Sequence, residues 1–279
     1  MNRTMIGATN TLNQLQKQMD IIGHNLANSD TNGYKRREAM FSELLFQQVS
    51  NIKGDKDNNT TRLTPAGVRQ GVGAKLAQSE INLAQGSLKA TGRSLDFALT
   101  SRNQFFKVLV QGENGADVRY TRDGAFYANP IGNGEMMLVN GQGHAVLDEN
   151  DNFITFTEAE MNSQDISLGD SGQLTIGGTP FNLGIVSVEK PQFMQQIGQN
   201  LLGLPDDFQG LGVNENEILT NLEGALRNNI GLAQSTLEGS NVDIGKEMTN
   251  MLNVQRAYQF QSRSISMADQ MMGLINGIR

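Results

Sequence analysis

Cysteine is absent from this chain of 279 residues, and so is tryptophan. Without a thiol there is no disulfide, no thiolate metal site and no cysteine nucleophile. Histidine is scarce: only His24 and His144 are present, and neither has an acid or a nucleophile at a spacing that builds a catalytic pair. A polar residue on a helix face and a turn residue describe them better. Aromatic residues make up 6% of the chain, modest material for one large core. The 31 glycines suit turn-rich β-structure plus helices that finish their burial against partners. No apolar run approaches the roughly 20 residues of a membrane span, so no transmembrane segment is expected. Met1 to Ile6 lack a basic stretch followed by an apolar one, so no secretory signal of the usual kind is expected there. The formal net charge of −7 argues against a nucleic-acid partner.

Short motifs that suggest chemistry fail on inspection. Gly239 to Lys246 resembles a phosphate loop, but five residues rather than four separate the glycines, and Glu247 stands where Ser or Thr is needed. Asp148, Asn150 and Asn152 match the start of a calcium loop, yet Phe153 replaces the required glycine and Ala159 the bidentate glutamate. A hairpin turn accounts for them. Gly141-Gln142-Gly143 lacks the third glycine of a dinucleotide site. No cofactor, no metal and no enzyme activity are expected.

What the chain does have is a seven-residue apolar rhythm at both ends. Met1, Ala8, Leu15 and Ile22 repeat at that spacing, as do Met5, Leu12, Met19 and Leu26. Ile244, Met251, Tyr258, Ile265 and Met272 repeat it near the other end, and Phe260, Met267 and Leu274 form a second set. This is the seam pattern of helices packed along one another. Apolar residues on more than one stripe need more than one partner helix.

The first helix is expected from about Thr4 to Ala27, stopped by the turn formers Asn28 to Gly33. A second helical stretch is expected around Glu38 to Gln48, with Met40, Phe41, Leu44 and Leu45 on one face. Lys53 to Thr60 has no apolar residue and is expected to be a mobile loop. From Val68 to about Ser187 short apolar runs alternate with turn signals such as Asp123-Gly124, Asn140-Gly141 and Gly177-Gly178. Residues 191–240 read as loose, and the last helix is expected to start at Ser240 to Asp243. The fold class is therefore α+β: terminal helices paired as a coiled-coil-like hairpin around a central, irregular, mostly antiparallel β domain. The expected division is 1–34 plus 240–279 as a helical, tube-forming domain, 35–70 as connecting segment and mobile loop, 71–225 as the β domain and 226–239 as the return connection.

Three stretches carry a resemblance. Asn25, Ala27, Asn28, Thr31, Gly33, Tyr34 and Lys35 fit an Asn-x-Ala-Asn-x-x-Thr-x-Gly-Tyr-Lys pattern. Gln85 to Leu88, Thr91-Gly92, Leu95-Asp96, Phe105-Phe106 and Tyr120 to Phe126 follow in order. Glu238 to Asp243, Gln255-Arg256-Ala257-Tyr258 and Asp269 to Met271 close the series. Over nearly its whole length the chain resembles the flagellar rod and hook protein family, and its length is most like a distal-rod protein. Three departures stand out, the first being that Lys35-Arg36-Arg37 is more basic than the pattern requires. Arg102-Asn103-Gln104 replaces the family's Gly-x-Gly before Phe105-Phe106, and Phe260 to Arg263 replaces its Asn-Ser-Lys.

The resemblance implies a structural subunit of the basal-body rod, assembling helically with copies of itself and other rod or hook subunits into a hollow shaft. It implies handling by the flagellar type III export apparatus without a cleaved signal peptide, and location in the basal body of a bacterial flagellum. A hook or hook-junction subunit, or a transient scaffold or cap, would be the alternatives. In this light the motif residues have structural roles. Asn25, Asn28 and Thr31 should satisfy backbone groups at the end of the first helix, Gly33 should supply a positive φ, and Tyr34 should be seated with its hydroxyl paired. Arg256 should find an acceptor on a neighbour.

Overall fold

The computed structural model describes residues 2–43, 47–49, 68–70, 74–112, 115–162, 166–198, 200–205 and 214–277. The chain falls into two compact units. One comprises Met1–His24, Arg37–Glu80 and Gly245–Arg279; the other comprises Asn25–Arg36 and Ile81–Ile244. The fold is α+β, with a helix at each end and mostly antiparallel sheets between them.

Helix α1 (Asn2–Ala27) and the long terminal helix α4 (Ile244–Gly277) dominate the first unit, while the short helices α2 (Glu158–Asn162) and α3 (Glu215–Ile218) belong to the second. Among the described residues no helix is long and apolar enough to cross a membrane. The first unit also holds a strand pair, Arg37–Glu43 with Ala74–Ile81, where a helix was expected from Glu38. A run of seven residues is too short for its period to separate helix from strand. A partner more than thirty residues along the chain decides the matter. Leu44, Leu45 and the expected loop around Lys53 to Thr60 lie outside the described residues.

The second unit is built on a ten-stranded antiparallel sheet. Its central strand, Gln104–Gly112, pairs with Gly115–Thr121 on one side and with Ile185–Val188 and Ala145–Val146 on the other. Successive side chains of a strand point to opposite faces, and the Phe105-Phe106 doublet uses this directly. Phe106 enters a core with Leu99, Phe126, Leu138, Ile154 and Leu183. Phe105 enters a second core with Tyr120, Val186, Ile218 and Leu219. The Phe106 and Phe126 rings meet edge to face at 5.1 Å, a favoured aromatic arrangement.

Residues 191–240 are not loose throughout. Leu201–Gly203, Leu219–Asn221, Leu232–Gln234 and Thr236–Glu238 are strands that pair with earlier ones. The last two occupy the stretch expected as a plain return connection. A strand of three residues has no period to read, so only its partner reveals it.

The start of α4 also differs from the expected cap. Asp243, not Ser240, immediately precedes the helix. The Ser240 hydroxyl accepts from the Val242 amide at 3.3 Å, and the half-buried Asn241 side chain bonds into the network described next.

Candidate functional site

The first motif, the central motif and the Glu238–Asp243 part of the third converge inside the second unit. Glu238 ends the strand Thr236–Glu238, which pairs with Leu88–Ala90. Its carboxylate is fully buried and accepts four bonds. One oxygen takes Lys35 Nζ at 2.7 Å and the Gly86 amide at 2.9 Å. The other takes Arg122 through Nε at 2.8 Å and through a terminal nitrogen at 2.7 Å. The Glu238 backbone carbonyl also accepts from the Gly33 amide at 2.8 Å. One residue thus binds the segment after α1, two β segments and the segment before α4.

Two cations share this one carboxylate, and backbone carbonyls take up the excess positive charge. Arg122 donates to the carbonyls of Ser101 at 2.6 Å, Arg102 at 3.0 Å, Gln104 at 2.8 Å and Leu99 at 3.1 Å. Lys35 donates to the Ala84 carbonyl at 2.9 Å. Burial, reinforced by the nearby Arg122 charge and opposed by Glu238, pushes the Lys35 ammonium down to about 8. Burial likewise lowers Arg122 from its ordinary value, with Glu238 opposing.

Close backbone approach makes the arrangement possible. Gly33 lies at φ +68°, and a Cβ there would overlap the Asp123 amide. A Cβ on Gly86 would overlap the Gly239 carbonyl. Around this centre, Tyr34 is buried and its hydroxyl donates to Asn25 Oδ1 at 3.1 Å. Thr31 Oγ1 donates to Asn28 Oδ1 at 3.2 Å. Asn241 accepts from the Arg36 amide at 2.6 Å and donates to the carbonyls of Asn82 at 2.8 Å and Ala84 at 2.9 Å. Gln104, at the departure from the family's Gly-x-Gly, donates to the Asn229 carbonyl at 2.8 Å and accepts from the Gly231 amide at 3.2 Å. Ala27 alone of the first motif is exposed.

Chemically, this centre is a lock. Its acid is saturated with donors and its amine is ion-paired and buried, so both are engaged in holding separate segments together. A shallow polar cleft of about 360 Å³ lies elsewhere in the unit, lined by Glu149, Arg227 and Asn182 among others. Its ion pair, at 3.3 Å, is already engaged with the Leu183 and Gly172 carbonyls and the Asn182 amide. Asp148 accepts from the amides of Asn150 and Asn152 at 2.8 Å, closing a tight turn.

The remaining candidate residues lie on the helices of the first unit, apart from the ends of α1 and α4. On α1, Ile22 is buried and Met5, Leu12, Leu15, Met19 and Leu26 are half-buried. On α4, Met251, Tyr258, Ile265 and Met272 are half-buried on one row. The alternate seam positions Glu247, Val254, Gln261 and Ala268 are covered with them. Reading the apolar repeat alone missed these four, because Glu247 and Gln261 interrupt the apolar signal. Ile244, at the helix start, is 48% exposed. Phe260, Met267 and Leu274 are 71%, 54% and 69% exposed, and Gln255, Arg256 and Ala257 are exposed as well.

Glu238 and Arg122 were the functional residues that sequence reasoning did not single out. Both lie within the quoted motifs, where each is a charged residue among turn formers and apolar neighbours. That context was the available signal; the pairing across 116 residues has no periodicity to reveal it.

The chain matches two family descriptions. "Flagella basal body rod protein" matches residues 7–35, and "Flagellar basal body rod FlgEFG protein C-terminal" matches residues 233–278. It is 41% identical over 286 residues to the flagellar hook-basal body complex protein FlhP of Bacillus subtilis (strain 168), covering 100% of both chains. It is 32% identical to the flagellar basal-body rod protein FlgG of Buchnera aphidicola subsp. Schizaphis graminum, covering 94% of each. It is 31% identical to FlgG of Borreliella burgdorferi, covering 100% of this chain and 99% of that one.

Proposed function

The chain belongs to the flagellar basal-body rod protein family and is a structural subunit of the rod, and we propose that its two terminal helices pair with each other and pack against those of neighbouring subunits to form the wall of a hollow shaft. The pairing joins the covered row of α1, Met5 to Leu26, to the covered row of α4, Met251 to Met272. The outward row of α4 then meets the next subunits. Repetition of one such heterologous contact, without closure into a small ring, produces a helical assembly. The shaft transmits torque and conducts exported subunits, and the subunit reaches it through the flagellar type III export apparatus. Its length and its similarity to FlgG proteins favour a distal-rod position.

The observation that carries this reading is the exposed, seven-spaced row of Phe260, Met267 and Leu274 on a helix that already covers another row. A monomer gains nothing from a large apolar ring left in water, whereas a close-packed partner would gain its burial. The lock around Glu238 serves the same purpose. It ties the segment that follows α1 to the segment that precedes α4 through one buried carboxylate.

The test replaces Phe260, Met267 and Leu274 together with Ser. The subunit should keep its circular-dichroism spectrum, its incorporation into purified basal bodies should be lost and the cells should stop swimming. Normal incorporation of that variant would reject the reading.

A further inference from the structure

The outward face of α4 is not purely apolar. Phe260, Met267 and Leu274 alternate with Arg256, Arg263 and Gln270 at spacings of three and four. Together they make a complete second heptad seam, turned away from the covered row of Met251, Tyr258, Ile265 and Met272. All six residues are exposed. Neither arginine has an ion pair or hydrogen bond among the described residues. Closing a seam over an unpaired guanidinium is costly, so the occupant must bring an acceptor, and a carboxylate is the best one.

One helix of this chain supplies it. Ile6, Asn13 and Asp20 of α1 stand seven apart and are exposed. Asp20 is the only acid in α1, and it too has no ion pair among the described residues, including none to Lys17 one turn before it. The acids of α4 serve less well. Glu247 is buried in the covered row, and Asp269 stands one turn from both Ile265 and Met272 on that side. Because Asp20 and the arginines each lie on the face opposite their helix's covered row, a second molecule is needed to bring them together.

We propose that the Arg256–Arg263 seam of α4 docks on the Ile6–Asn13–Asp20 row of α1 in a second copy of this chain, with Asp20 pairing to Arg263 and fixing the register between subunits. Polar residues within a heptad seam set register at some cost in stability. This rests on the helical packing proposed above and assigns its partner face.

The absence of native cysteine makes a background-free test available. Two differently tagged copies, one with Asp20→Cys and one with Arg263→Cys, are co-expressed in motile cells, and isolated basal bodies are oxidised. A disulfide-linked dimer carrying both tags is expected only when both copies are present. In parallel, Asp20→Arg and Arg263→Asp should each lower incorporation at least tenfold, and the two together should restore it to within threefold of the wild type. The Phe260, Met267 and Leu274 triple variant is run alongside. If it incorporates normally, the packing reading fails. If it is excluded, while the charge reversals are silent, the double reversal gives no recovery or no mixed dimer forms, the register proposal is overturned and the packing reading stands. A disulfide within one chain of the doubly substituted Asp20→Cys, Arg263→Cys monomer would also overturn the proposal.

Discussion

The β body and the terminal helices solve burial in opposite ways. In the β body Phe97, Phe106 and Phe126 have no exposure at all, and even the charges of Lys35, Arg122 and Glu238 are enclosed. In the helical unit the large apolar side chains Phe260 and Leu274 remain 71% and 69% exposed. On the packing proposed above, one region is finished within a single chain, whereas the other is finished by neighbours. A polymer subunit benefits from this division: a self-sufficient body survives as a monomer, and an incomplete helix face reserves its hydrophobic gain for assembly.

The strongest attack on this comparison is to damage the finished region. Phe106→Ala should cost the monomer about 3–5 kcal/mol. Glu238→Gln should cost a similar ~3–5 kcal/mol, because Lys35 and Arg122 would be left buried against a neutral amide. Denaturant unfolding followed by circular dichroism measures both. A change below 1 kcal/mol for Glu238→Gln would mean that the lock is not holding the body together. Next in size is Gly86→Ala, expected to cost ~1–3 kcal/mol, because the backbone must retreat from the Gly239 carbonyl.

A smaller effect concerns pH. Lys35 titrates at about 8 when folded and at its ordinary 10.5 when unfolded. Between those values the unfolded chain holds more protons, so stability should rise with pH across that window. Below about pH 8 both states are protonated and the contribution is flat. The slope from this one group cannot exceed about 1.4 kcal/mol per pH unit. Lys35→Met should remove it, and a slope unchanged in that variant would assign the effect elsewhere.

The smallest expected stability effect sharpens the contrast most. Phe260→Ala should change monomer stability by less than about 0.5 kcal/mol, although it removes the same ring as Phe106→Ala. Its effect should appear as reduced incorporation into basal bodies. A destabilised monomer would place Phe260 inside the subunit's own fold.

Long repeats were legible from the residues. The terminal helices announced themselves through 26- and 34-residue stretches whose apolar spacing leaves little alternative. The strand Gln104–Gly112 and the turn at Gly177-Gly178 were equally readable, the first as a continuous apolar run and the second as adjacent glycines that both adopt positive φ. Arg37–Glu43 was misread because seven mixed residues suit either state, and Thr236–Glu238 was missed because three residues carry no period. The site was half visible. Tyr34, Gly33 and Lys35 were marked out by their motif, but their common partner Glu238 lies about two hundred residues away.

The order of residues alone therefore determined which faces are apolar, where turns can occur and which family's pattern the chain carries, since each depends on spacing along a few helical turns or a single strand. Only the tertiary structure decided that Glu238 receives Lys35, Arg122, Gly33 and Gly86 together, and that of two apolar rows on α4 one is covered and the other is not. Those outcomes depend on which distant segments come close enough to exclude water and satisfy a buried charge, and no local repeat encodes that distance.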